Sequence, residues 1–227
     1  MSFLSSFEAV LFDLNGTLAD DFDRFGDDQD YHATYTRLGG RSLTSARLRE
    51  EVDESLRQCL ARYERGPWDP FPPYRAFLQV DDPRERQLLE DTVAEHELGI
   101  VTRSRLSWLR SLSTNHRLGL ISDVWAPSRR LRAYLRESRL DQVMEAIVLS
   151  SEVGAVKPSR RIFETALDQL GCGPSQVVVV GDNYRRDVLG AAACGMKTVW
   201  ISNAQDVPDD VRADRIIADV EALTALD

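Results

Sequence analysis

Apolar runs of about four residues recur along the chain, and each stops at a polar turn. Residues 9–12 (AVLF) stop at Asp13, residues 118–121 (LGLI) at Ser122 and Asp123, and residues 177–180 (VVVV) at Gly181 and Asp182. Residues 146–149 stop at Ser150, residues 198–201 stop at Ser202, and residues 215–218 form a sixth run. Short runs of this kind read as strands, and their continuous apolar character implies that both faces are covered. Between them, residues 103–114, 127–138, 159–170 and 185–194 carry apolar positions at helical spacing. The alternation predicts an α/β fold, a Rossmann-like parallel sheet with helices on both faces.

Residues 20–97 break this rhythm. Residues 42–65 read as one amphipathic helix with Leu48, Val52, Leu56, Cys59, Leu60 and Tyr63 on its apolar face and Thr44 or Ser45 as its cap. Four prolines within residues 66–74 (GPWDPFPPY) stop that helix, and residues 84–96 form another. The expectation is a separate α-helical unit over 20–97, inserted into an α/β core domain formed by 1–19 and 98–227. Trp68, Phe71 and Tyr74 either line a pocket or pack between the two units. The acidic series Asp20, Asp21, Asp23, Asp27, Asp28 and Asp30 reads as a solvated hinge.

Charge sharpens this division. The 227-residue chain has a formal net charge of −9, and residues 20–97, with 11 basic and 19 acidic side chains, hold nearly all of it. An acidic chain is poorly suited to nucleic acid or to anionic membrane surfaces. No stretch has the ~20 apolar residues of a membrane span, and the first residues lack the basic and apolar regions of a signal peptide. Cys59, Cys172 and Cys194 have no C-x-x-C spacing and read as small buried hydrophobes in a reducing, cytoplasmic setting. His32, His96 and His116 are too scattered for a metal site, and His116 reads as structural.

In a parallel sheet, ligands gather beyond the carboxyl ends of the strands. Asp13, Ser122 and Asp182 each follow a strand, so the fold is expected to bring them to one edge. The surrounding motifs are residues 10–18 (VLFDLNGTL), 120–123 (LISD), Lys157 with Pro158, and 181–187 (GDNYRRD). In this order and on these elements they resemble the haloacid dehalogenase superfamily, most of whose members are phosphatases. The resemblance covers residues 7–20 and about 100–220, and the insert matches the family's helical cap in position and helical character but not in sequence.

The resemblance implies a Mg²⁺-dependent phosphatase acting on a small phosphorylated metabolite. Asp13 would be the nucleophile and form an aspartyl phosphate. Asp13, the main-chain carbonyl of Asn15 and Asp182 would hold Mg²⁺, with Asp187 supporting the metal or its waters. Lys157 would supply positive charge to the phosphate and nucleophile. Ser122, with main-chain N–H groups near Gly16 and Asp123, would cradle the phosphate, and Thr17 would support the turn. Monomer and homodimer are both compatible with the chain.

One position departs from the family pattern. Most such phosphatases carry an aspartate two residues after the nucleophile as general acid and base, and here that residue is Asn15. An amide cannot exchange a proton near neutral pH, a loss worth about 10²–10⁴ in rate. The alternatives are a phosphatase that borrows an acid from the cap, a phosphate-ligand sensor, or a 2-haloacid dehalogenase, which needs no such acid. The G-D-x-x-x-x-D metal pattern argues against the dehalogenase. Asn15-Gly16 is also a sterically open pair for deamidation, which would restore an aspartate. Only two of the 28 basic residues are lysines, and one of them is Lys157, where a compact ammonium fits beside a carboxylate and a phosphate.

Overall fold

The computed structural model describes residues 3–203 and 212–226. Six parallel strands form one sheet: β1 (Ala9–Phe12), β2 (Arg117–Ser122), β3 (Ala146–Leu149), β4 (Val177–Gly181), β5 (Lys197–Ile201) and β6 (Arg215–Ile217). Their order is β3-β2-β1-β4-β5-β6. The chain winds outward from β1 through β2 to β3, then returns to place β4 on the other side of β1. The crevice beyond β1 and β4 is therefore a topological switch point, where open α/β sheets bind ligands.

Side-chain alternation explains why these strands are apolar throughout. Val10, Phe12, Leu118, Leu120, Val178 and Val180 belong to one buried cluster, with Leu109 and Leu112 of helix α4 (Arg103–Leu112) and Leu131 and Leu135 of α5 (Arg129–Glu137). Ala9, Leu11, Val177 and Val179 point the other way, against Ile162, Phe163 and Ala166 of α7 (Arg160–Leu170). Burying such a side chain contributes roughly 1.5–3 kcal/mol, so a polar residue on either face would be costly. The short helix α6 (Ser150–Val153) follows β3 directly. After β4 comes a wide π-type helix over Tyr184–Leu189, which runs into the single turn α8 (Gly190–Ala193).

Residues 31–94 form a third cluster. Tyr31 and Tyr35 of α1 (Tyr31–Arg37), Leu48, Val52 and Cys59 of α2 (Ser45–Arg65), and Leu89 and Val93 of α3 (Pro83–Glu97) pack together with Tyr74 and Phe77. Thr44 caps α2 by accepting a hydrogen bond from Arg47 N. One expectation needs correction here: Leu60 is 46% exposed and stays out of this core. The acidic series is solvent-exposed throughout, and within it Asp30 caps the unanticipated helix α1 and Asp20 pairs with the buried Arg105 at 3.0 Å. Where the chain enters and leaves the segment, Asp20 and Ile100 form an antiparallel bridge.

The helical segment is stitched to the sheet next to the switch point. Phe71 N donates to Gly154 O at 2.8 Å, and Val156 N donates to Trp68 O at 3.0 Å. The aromatic stretch thus packs against the loop that delivers Lys157. All three cysteines are buried and free, and His116 Nδ1 pairs with Phe7 O at 3.1 Å as a structural residue. Among the described residues, no helix is long and apolar enough to cross a membrane.

Candidate active site

Three carboxylates from two loops meet beyond β1 and β4. Asp13 follows β1, Asp182 follows β4, and Asp187 lies one turn into the following helix. One oxygen from each falls within 4.8 Å of the others. Lys157 reaches this cluster from the loop before α7. Its Nζ donates to Asp13 Oδ1 at 2.6 Å and to Asp187 Oδ1 at 2.7 Å, and it is 1% exposed. The ammonium offsets a repulsion that would otherwise keep three closely spaced carboxylates apart. Burial raises the pKa of Asp13, and Asp187 and Asp182 push it the same way, while Lys157 pulls it down. Burial and the two paired carboxylates act oppositely on Lys157, and the carboxylates win, so its pKa is raised.

The donor set suits a hard divalent cation. Asp182 Oδ1 is buried without a hydrogen-bond partner among the described residues, beside Asp13 in a cavity that both line. Unpaired buried carboxylate oxygens are costly unless a cation is to be bound. Asp187 is committed elsewhere: Oδ1 faces Lys157, and Oδ2 accepts from Asn183 N at 2.9 Å.

Two glycines make this approach possible. Gly16 has φ +82°, and a Cβ there would lie 2.4 Å from Asp182 Oδ2. Gly181 lets Asp187 close in, since a Cβ would lie 2.4 Å from its Cγ. The Gly16 N–H donates to Ala19 O at 3.0 Å and closes the turn. That bond also holds back the nitrogen that would attack the Asn15 side chain in deamidation. Thr17 is buried and does not line the cavity with Asp13.

Ser122 and Asp123 line the cavity with Asp13, Asn15, Lys157 and Asp182. The Asp123 carboxylate is a positioning group. Oδ1 accepts from Lys157 N at 2.9 Å, and the Tyr63 hydroxyl lies 2.7 Å from Oδ2 and 3.0 Å from Lys157 O. The single Tyr63 proton serves one of these at a time. Tyr63, counted as an apolar stripe residue in the sequence, thereby ties α2 to the strand ends.

Two further acids were not visible in the motifs. Glu97, the last residue of α3, is 4% exposed and accepts from Trp125 N at 2.5 Å and Ala126 N at 3.3 Å. Burial nevertheless pushes its pKa up to about 8, against the pull of those two donors. Its carbonyl accepts from Asn15 Nδ2 at 3.3 Å. Asp23 lines the same cavity. Solvent reaches it through the cavity mouth, yet surrounding protein pushes its pKa up to about 6, opposed by Arg186 and reinforced by Asp182. Only the position of Glu97 at the end of the segment, and that of Asp23 just after the first motif, could have drawn attention to them.

The model of one protein family, described as haloacid dehalogenase-like hydrolase, matches residues 10–201. The chain belongs to that family. Within it, the chain is 33% identical over 98 residues to the pyrimidine 5′-nucleotidase YjjG of Escherichia coli, covering 43% of each sequence. The chain spans about half the length of the curated relatives it matches, or less. A phosphatase of this family from Thermococcus onnurineus superposes with a TM-score of 0.61 at 26% identity, covering 96% of both chains. The 2-haloacid dehalogenase of Pseudomonas syringae superposes with a TM-score of 0.66 at 20% identity, covering 96% of this chain and 97% of that one, a likeness of fold.

Proposed function

We propose that this haloacid dehalogenase-like hydrolase is a Mg²⁺-dependent phosphatase of small phosphate monoesters that works through an aspartyl phosphate on Asp13. The observation that carries the reading is the unpartnered Asp182 carboxylate oxygen beside Asp13 and Lys157 at the switch point. A dehalogenase attacks an uncharged carbon–halogen bond with its carboxylate, and that step has no need of a metal held by several acids. A phosphatase does need one, because a dianionic phosphate must approach an anionic nucleophile. Similarity to a relative named for nucleotidase activity and to a solved phosphatase supports the same reading.

Mg²⁺ held by Asp13, Asp182 and the Asn15 carbonyl would neutralise phosphate charge. Lys157 shields the nucleophile and holds it on the axis of attack. Ser122 lies in the cavity with its hydroxyl 3.3 Å from Asp123 O and can turn to donate to a phosphate oxygen. Asp187 and Asp123 position Lys157 from its two ends. Asn15 moves no proton. Asp23 is the group to protonate the departing alcohol, because it also faces the larger cavity where that alcohol must lie. Residues 20–97 act as the cap, closing over the sheet edge and excluding water.

The test is phosphate release from a panel of monoesters with and without Mg²⁺. The wild type turns over only with the metal, Asp13→Asn is inactive, and Asp182→Asn needs more Mg²⁺. Metal-independent turnover, or activity in Asp13→Asn, overturns the reading. A chain that binds phosphate esters and never releases phosphate is a sensor.

A further inference from the structure

Beside the catalytic cavity lies a second, larger one of about 810 Å³. Asp23, Trp125 and Arg186 line both, so the two are adjacent. We infer that this chamber is the leaving-group site for phosphate monoesters whose alcohol carries a flat aromatic ring. The inference rests on the phosphatase reading and names its substrate class.

Size comes first. Cavities of roughly 300–1,000 Å³ hold ligands of drug size. A three-carbon alcohol would leave most of this chamber to water and gain little from closure.

The walls decide the chemistry. Tyr63 and Trp125 meet edge to face, with centroids 5.0 Å apart and planes at 89°. Trp68 closes another side, and the Arg185 guanidinium lies 4.9 Å from its ring centroid. Trp68 is fixed in place, since Nε1 donates to Tyr63 O at 2.7 Å. Leu60, which the helical pattern assigned to the core, is instead an exposed apolar side chain on this wall. Rigid rings in edge-to-face and stacked arrangements favour another ring among them.

Charge excludes the competing class. Three acids, Asp23, Asp53 and Glu64, line the chamber with three arginines, Arg57, Arg185 and Arg186, and Arg57 is already bound to Glu54 through Nε at 3.0 Å. A balanced set of this kind offers no surplus cation to a leaving group bearing several negative charges.

The experiment compares 2-phenylethyl phosphate with n-propyl phosphate. Both release a primary alcohol of similar basicity, so the ring is the difference between them. The expected kcat/KM ratio is about tenfold or more in favour of the ring, the factor that ~1.4 kcal/mol of ring packing supplies. In Trp68→Ala the ratio falls towards one. Leu60→Asn, at a position already exposed and therefore tolerant, lowers it too and guards against a Trp68 variant that fails to fold. Equal turnover of the two esters overturns the inference and leaves the phosphatase reading standing. If neither these esters nor any other monoester of the panel is hydrolysed, the phosphatase reading fails. Tryptophan fluorescence of Asp13→Asn titrated with each ester then decides the chamber, and equal affinity overturns it.

Discussion

Replacing Asn15 by aspartate tests the central chemical argument directly. The two side chains are nearly isosteric, and Asn15 Oδ1 has no hydrogen-bond partner to lose among the described residues. The other end of the amide donates to Glu97 O at 3.3 Å. In Asn15→Asp, an ionised carboxylate would turn an oxygen towards that carbonyl, with buried Glu97 and Asp23 nearby. A protonated carboxyl keeps the hydrogen bond. The site therefore holds the introduced group in its acid form near neutral pH, as proton donation requires. A positioned acid contributes about 10²–10⁴ in rate, or roughly 2.7–5.5 kcal/mol of barrier. The contact to Glu97 is long, and Asp23 already supplies part of the effect, so a gain of about 10² is expected. The assay is Mg²⁺-dependent phosphate release from 2-phenylethyl phosphate and from p-nitrophenyl phosphate, with Tm measured alongside. The gain belongs to the alkyl ester, because nitrophenolate leaves without a proton. An equal gain on both esters, or none on the alkyl ester with Tm unchanged, refutes the reasoning.

Other perturbations follow from the same geometry. Asp23 donates only when protonated, so alkyl-ester hydrolysis falls as pH rises through about 6, and Asp23→Asn removes that limb of the pH–rate profile; an unchanged profile excludes Asp23 as the acid. Glu97 has its pKa raised from 4.5 to about 8, so its contribution to stability is full below the unfolded value and is lost as pH rises towards about 8. Urea midpoints of the wild type should decline across that window, and those of Glu97→Gln should decline less. Lys157→Met leaves Asp13 and Asp187 buried without their cation, which costs about 3 kcal/mol and appears as a lower Tm in the metal-free protein. Gly16→Ala drives a Cβ into the Asp182 carboxylate, so Mg²⁺ titrations should show weakened binding even where the variant folds.

Much of the site was legible because strand ends are legible. Continuous apolar runs of residues 9–12, 118–121 and 177–180 can only be strands covered on both faces, and a parallel sheet places the residues after them on one edge. That reasoning reaches Asp13, Ser122 and Asp182 although they lie far apart along the chain. Lys157 came from the motif, and its burial between Asp13 and Asp187 accounts for a lysine in a chain with only one other. The Asp123 carboxylate's hold on Lys157 N and Tyr63 was not legible, because such contacts depend on how α2 and the loop before α7 meet the strand end. Helical periodicity likewise assigned Leu60 and Tyr63 to a core, since it reports a face and not what that face meets.

The sequence by itself determined the strands, the helices α2 and α3, the family, and the missing acid at Asn15. These are local properties: side-chain alternation, capping, proline breaks and short-range spacing. Only the tertiary structure decided which acids stand near Asn15. Glu97 is buried, and Asp23 is partly desolvated though still exposed, by elements far away in sequence, and no local pattern encodes such surroundings. The chamber beside them arises the same way, from α2, the Trp68 loop and the helix after β4 converging in space.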